Sequence, residues 1–271
     1  MIRLSAVFIC IATLSLLGCG AVIQRTDKGS EENFALVSEL VHRNESLKSF
    51  KGIGEATLRK EGRSYFGRLA WAGSDPDKLR VEILGAPGQP KVGFSSDGAR
   101  VYYFDSNGKG STVKQISAKN PDLERFIAVS ITSSEVVSFL AGRLPNYSPQ
   151  RVRMSVDPNG DGYIVALNPR WWQTDRQEIF LDSKKRDIRK IENYSGTDLS
   201  YRVEFPKMQT LEGYRVPSEM RISDADGNYF MLRIDRYWAN ATTSPDLFRL
   251  ETPQDAERKP FSGERGSGST P

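Results

Sequence analysis

Only two cysteines and one histidine occur among the 271 residues, and this scarcity removes several chemistries at once. Cys10 falls within an apolar N-terminal stretch that is expected to be removed, which leaves Cys19 alone. A lone cysteine allows neither a disulfide framework nor a cysteine-based metal site. His42 sits in a helical pattern beside Arg43, so a serine–histidine triad or a histidine metal cluster has no raw material. Carboxylates are plentiful, but no pair is marked out by spacing, and glycosidase chemistry finds no support. An enzyme is therefore not expected, nor is a cofactor. A concentrated basic stripe is also missing. Lys and Arg number 38 against 34 Asp and Glu, a net charge of +4, and the signs are interspersed, as in Arg176, Glu178, Asp182, Lys184 and Lys185. This pattern describes a solvated surface with at most a weak bias toward anionic surfaces, and nucleic acid is not an expected partner. Beyond Ile23 there is no second apolar run long enough to span a membrane.

What is present begins with Arg3 and an uncharged stretch from Leu4 to Leu17, closed by Gly18 and Cys19. A positive start, a short apolar core and a small residue at the end describe a secretory signal peptide over residues 1–18. Leu16-Leu17-Gly18-Cys19 resembles the bacterial lipobox, with Leu17 a less usual choice at its position. The resemblance implies a diacylglycerol thioether on Cys19. Gly20 is not the aspartate associated with inner-membrane retention, so the same sorting rule implies lipid anchoring at the outer membrane, with the domain facing the periplasm. An uncleaved transmembrane anchor and an ordinary cleaved signal are the other readings, although no basic cluster follows Ile23 to stop transfer. One acyl chain binds a membrane marginally, whereas two or more anchor stably.

Residues 19–30 are polar and read as a lipidated tether. Residues 254–271 hold Ser, Gly, Pro and charge with only Phe261 as a large apolar residue, the composition of a disordered tail. Between them, residues 31–253 make roughly 220 positions without a composition break, which suits one domain. Phe34, Val37, Leu40 and Val41 recur at helical spacing. From Phe50 onward strands follow one another across short turns. Leu79, Val81 and Ile83 alternate with Arg80 and Glu82, Asp97-Gly98 divides two strands, and Asp226-Gly227-Asn228 joins the last two. One helical block, Asp122 to Arg143, interrupts the series, with Thr132 and Glu135 spaced as a capping box and Pro145 as the stop. Strand following strand by short turns predicts a mainly β, antiparallel meander and no parallel crossovers. Tyr65-Phe66, Tyr102-Tyr103-Phe104 and Tyr229-Phe230-Met231 put large apolar groups on both parities. The sheet is then either sandwiched or curled around something apolar.

In this order of features the chain resembles the LolA/LolB-like lipoprotein carriers, and the outer-membrane receptor LolB in particular. The residues concerned are Leu79-Arg80-Val81-Glu82-Ile83-Leu84 running into Gly85-Ala86-Pro87-Gly88-Gln89-Pro90, the Ser96-Asp97-Gly98 turn, and the helical block ending Phe139-Leu140-Ala141-Gly142-Arg143-Leu144-Pro145. Pro245-Asp246-Leu247-Phe248 and Pro253 complete the set. The resemblance implies a curved antiparallel sheet forming an unclosed β-barrel covered by helices, with an apolar cavity that receives acyl chains of lipids or lipoproteins. It also implies a periplasmic LolA-type carrier as donor, and a monomer. LolB carries a leucine in the loop after the third strand, where Ala86 and Pro87 stand here as the membrane-insertion loop candidate. No leucine stands between Gly85 and Pro90, so the resemblance does not extend to the insertion step.

The candidate cavity-lining residues are Leu79, Val81, Ile83, Phe94, Val101, Tyr103, Phe126, Val136, Phe139 and Leu140. The competing reading is an ordinary core that seals completely. Arg170 with Trp171-Trp172 reads equally well as a membrane-interface anchor or as a buried pair. Asp157-Pro158-Asn159-Gly160-Asp161-Gly162 mimics the start of a calcium loop, but Asn168 stands where glutamate is expected, which favours a hairpin turn. Two functions are consistent with these features: a carrier or receptor for acyl chains, and a non-catalytic scaffold of an envelope or secretion assembly.

Overall fold

The structure, a computed structural model, describes residues 28–86, 88–106, 111–145, 151–168 and 175–250. The signal peptide, Cys19, Pro87, Arg170 with Trp171-Trp172, and the tail lie outside these residues. The first element is helix α1, Lys28–His42, with Glu31 in its first turn and His42 in its last, where each suits the helix dipole. Its apolar spacing buries Val37 and Leu40, and the helix packs on strand β7.

Thirteen strands follow. They are β1 (Ser49–Lys60), β2 (Arg63–Ser74), β3 (Lys78–Leu84), β4 (Pro90–Ser96), β5 (Arg100–Ser106), β6 (Ser111–Ser117), β7 (Arg151–Val156), β8 (Gly162–Asn168), β9 (Arg176–Asp182), β10 (Ile188–Ser195), β11 (Asp198–Leu211), β12 (Tyr214–Ser223) and β13 (Tyr229–Ala239). All lie in one sheet of order 6-5-4-3-2-1-13-12-11-10-9-8-7. Every pairing is antiparallel. The sheet is thus two meanders joined where β1 pairs with β13, and β6 and β7 are its unjoined edges. It is a curved, unclosed barrel.

Aspartates set several of the turns. Asp97 Oδ1 accepts the N–H groups of Ala99 and Arg100, and Asp182 Oδ1 those of Arg186 and Asp187. Asp224 Oδ1 accepts those of Asp226 and Asn228, the side-chain turn chemistry expected of this residue. The Asp157–Gly162 segment is one such turn, between β7 and β8, with Asn159 N donating to Asp157 Oδ1 at 2.9 Å.

The link between the two sheet edges carries helices α2 (Glu124–Ile127) and α3 (Ser133–Leu140), which lie in the hollow of the sheet, α3 against β3 and β12. The helical block expected over Asp122 to Arg143 is therefore two pieces. Ala128 turns left-handed at φ 60° and ends α2, and a bridge between Asp122 and Thr132 separates the two helices. The capping box at Thr132 and Glu135 opens α3.

Apolar residues on both strand parities have two separate destinations. One parity faces the hollow and forms the main core, with Val165, Ile179, Ile191, Val203 and Ile222 fully buried in consecutive strands. On the outer face of β3–β5 a 3₁₀ helix, Pro245–Phe248, covers the sheet. Ser95 Oγ donates to Phe248 O at 2.8 Å and Arg80 Nη1 to Leu247 O at 2.7 Å, while Phe248 and Tyr102 are buried. Both expectations for the sheet thus hold in different places: it curls around an apolar hollow, and it is sandwiched locally by the C-terminal segment.

Candidate ligand cavity

The register brings small and large side chains together in rows across the hollow. Leu58 pairs with Tyr65 on one side and Phe230 on the other, and Phe230 pairs with Ile222. One row deeper, Ala56 pairs with Gly67 and with Leu232, and Leu232 with Met220. Ala56 and Gly67 therefore face each other with almost no side-chain volume between them. A cavity of about 150 Å³ lies there. Its walls are Leu69 and Trp71 from β2, Leu79, Val81 and Ile83 from β3, and Val92 and Phe94 from β4. Leu123, Phe126, Ile127, Val136 and Leu140 form the roof. Among the described residues, none that lines it is charged. An apolar space of this size takes a group the size of benzene. Tyr65, Phe66 and Ile83, all exposed, form its lip, so the space is a pocket with a mouth.

Helix α3 is held as the roof by polar contacts at both ends. Glu135 Oε2 accepts from Thr132 N at 2.9 Å and from Thr132 Oγ1 at 2.6 Å, and Glu135 Oε1 accepts from Tyr201 Oη at 2.6 Å. Burial, reinforced by Glu135, pushes the Tyr201 phenol well above its ordinary value, which keeps it a donor. At the other end Tyr237 Oη donates to Leu140 O at 3.1 Å, and Asn44 Nδ2 donates to Ala141 O and Arg215 O, both at 2.8 Å. Val136 and Leu140, four residues apart, share the face toward the cavity. Ser134 and Ser138 lie on the opposite face and border a polar groove with Asn193 and Tyr201.

Seven of the ten residues proposed from sequence line the cavity: Leu79, Val81, Ile83, Phe94, Phe126, Val136 and Leu140. The structure places the other three elsewhere. Tyr103 stacks on Phe126 with centroids 5.0 Å apart, behind the wall, where burial raises its phenol pKa. Val101 is fully buried two pairs further along β5, opposite Ser96. Phe139 points away from the cavity and meets Phe205 edge-on at 6.0 Å. At about 100° per residue Phe139 lies roughly 60° from Val136 and 100° from Leu140, at the edge of the same helix face, where it packs on Phe205 instead of lining the cavity. Ala86 is exposed in the β3–β4 loop, which Gly85 N closes onto Gln89 O at 2.8 Å. Most of the lining was missed from sequence, including Ala56, Leu58, Gly67, Leu69, Trp71, Val92, Met220, Ile222, Phe230 and Leu232. Period-two alternation in β12 and β13 carried a signal for Met220, Ile222, Phe230 and Leu232. Their place in the same wall as β1 and β2 depends on the pairing of β1 with β13, the first and last strands, which no local pattern encodes.

No protein-family model and no curated protein matches the chain. Solved structures do. A DUF1329 family protein from Desulfovibrio piger is 12% identical, with a TM-score of 0.55 over 82% of this chain and 97% of that one. A putative outer membrane lipoprotein-sorting protein domain from Vibrio parahaemolyticus is 18% identical, with a TM-score of 0.55 over 80% and 96%. A LolA superfamily protein from Nitrosomonas europaea is 14% identical, with a TM-score of 0.54 over 82% and 98%. At these identities the likeness is one of fold: the sheet and its helical cover have the LolA-like architecture.

Proposed function

We propose that the domain binds an acyl chain of a lipid or lipoprotein, non-covalently, in the cavity beneath α3. The observation that carries this reading is a pocket whose described lining is apolar and uncharged, with an apolar mouth, on a fold shared with a lipoprotein-sorting domain. Each methylene moved from water into such a space contributes about 0.8 kcal/mol. A few methylenes suffice for useful affinity, and no polar group, cofactor or catalytic residue is needed. The volume of about 150 Å³ is below the roughly 300 Å³ at which ligand pockets usually begin. A long chain such as palmitate therefore leaves its outer carbons at the lip or displaces the short α2, whose Phe126 and Ile127 form part of the roof.

The wider role follows from the sequence. A diacylated Cys19 holds the domain at the outer membrane, facing the periplasm, and a LolA-type periplasmic carrier delivers the acylated cargo to a monomeric receptor. Ala86 and Pro87 occupy the loop where LolB has its leucine, so reception without LolB-type insertion is the function proposed. The test is titration of a fluorescent fatty acid into the chain from Gly20 onward. All core residues, from Val37 to Phe248, are retained in that chain. Saturable uptake is expected; a folded domain that takes up nothing leaves the scaffold reading in its place.

A further inference from the structure

The lip of the cavity contains something that acyl binding alone does not require. Phe66 is 80% exposed, Tyr65 54% and Ile83 46%. They sit near the free end of the β1–β2 hairpin and on the neighbouring strand. Large aromatic groups left in water at one place mark a docking surface. On the hairpin itself cations outnumber acids: between residues 59 and 68 stand Arg59, Lys60, Arg63 and Arg68 against Glu61, all five exposed. Arg68 pairs with Asp235 at 3.6 Å, and the adjoining β12–β13 turn carries Asp224 and Asp226, so Arg59, Lys60 and Arg63 are the cations this tip offers. Aromatic rings beside cations are the composition of a surface that sits at the headgroup level of an anionic bilayer. The hairpin is also held in position. Lys60 pairs with Arg63 across a two-residue turn, Glu61 at φ 50° and Gly62 at φ 77°. Glu61 N donates to Asn228 Oδ1 at 2.9 Å, tying this tip to the β12–β13 turn.

We infer that the tip of the β1–β2 hairpin, Tyr65 and Phe66 flanked by Arg59, Lys60 and Arg63, docks on an anionic lipid surface and sets the cavity mouth against it. The inference rests on the acyl-binding reading, since docking there opens the cavity toward the bilayer. It assigns membrane contact to the first hairpin, and the β3–β4 loop with Ala86 is not needed for it.

The experiment is flotation of the chain from Gly20 onward with vesicles of phosphatidylcholine, pure or mixed with phosphatidylglycerol, beside fatty-acid uptake in vesicle-free buffer. Wild type is expected to float with the mixed vesicles. Tyr65→Ser with Phe66→Ser lowers partitioning by about tenfold or more. Arg59→Gln, Lys60→Gln and Arg63→Gln together lower it on the mixed vesicles by about fivefold per cation, with fatty-acid uptake in buffer as in wild type. Circular dichroism confirms that each variant is folded, and Arg63→Gln alone serves if the triple variant is not. Absence of wild-type flotation, or flotation indifferent to both sets, overturns the inference and points to a protein partner at the lip. Loss of flotation in the variants with no fatty-acid uptake by wild type retains the docking surface and overturns the acyl-binding reading.

Discussion

Gly67 offers the sharpest perturbation of the cavity. It lies in the wall on β2, and a Cβ built there meets only Ile83 Cγ2, at 3.6 Å, an ordinary contact. Gly67→Leu therefore grows a side chain into the empty space opposite Ala56. Burying a leucine contributes about 1.5–3 kcal/mol, and replacing a strand glycine adds about 0.5–1 kcal/mol. Lost rotamer freedom takes back about 0.5–1 kcal/mol. The net gain is about 1–3.5 kcal/mol, which at about 2–4 °C per kcal/mol raises Tm by roughly 2–14 °C. Fatty-acid uptake should fall at least tenfold in the same variant, because ligand and leucine compete for one volume. Differential scanning calorimetry and fluorescence titration read the two effects independently. In a sealed core the same leucine would overpack and destabilise by about 1–3 kcal/mol. A lowered Tm with unchanged uptake would refute the reasoning.

Other positions give further checks. Val81→Glu puts a charge in a wall that offers it no partner; uptake should be abolished while the far-ultraviolet circular dichroism of the sheet persists. Gly93→Ala is the counterpart of Gly67→Leu, because its Cβ would lie 2.1 Å from Phe104 Cε1 and 2.9 Å from Val81 O, so urea unfolding should show a loss of about 1–3 kcal/mol. Gly142 ends α3 at φ 72° with a Cβ position 2.0 Å from Arg215 O, and Gly142→Ala should cost more than about 2 kcal/mol. Asp187 is held below the ordinary carboxylate value by hydrogen bonding to Arg215, with distances of 2.9 and 2.6 Å, against a smaller opposing effect of burial. Its contribution to stability is fully present above the pKa of the unfolded chain and is lost as pH falls through the lower folded value. Thermal unfolding from pH 6 downward should therefore show a shallower acid decline in Asp187→Asn than in wild type.

The strands and turns of the sheet were legible because the signals for them are local, whereas its openness came only from the family resemblance. Alternation in Leu79, Val81 and Ile83, aspartate turns at Asp97 and Asp224, and the Thr132–Glu135 capping box each act over a few residues. The cavity was legible in part, since a strand's alternation identifies its inward parity but not which inward residues leave a gap. The gap comes from Ala56 meeting Gly67 across β1 and β2, and small residues carry no hydrophobic signal of their own. Phe139 was misplaced because an apolar helix face wider than the cavity reads the same from sequence as one that lines it. The outer-face cover by Phe248 was hidden for another reason: it joins residues more than a hundred positions apart through Ser95 and Arg80.

The central claim is that an acyl chain lies beneath α3. A fatty acid carrying a photoactivatable diazirine along its chain, bound to the chain from Gly20 onward, irradiated and mapped by peptide mass spectrometry, tests it at the level of residues. Labelling concentrated on Leu69, Val81, Phe126 and Leu140, and suppressed by Gly67→Leu, is the predicted result. Labelling spread over the outer face of the sheet, or indifferent to that substitution, would contradict it.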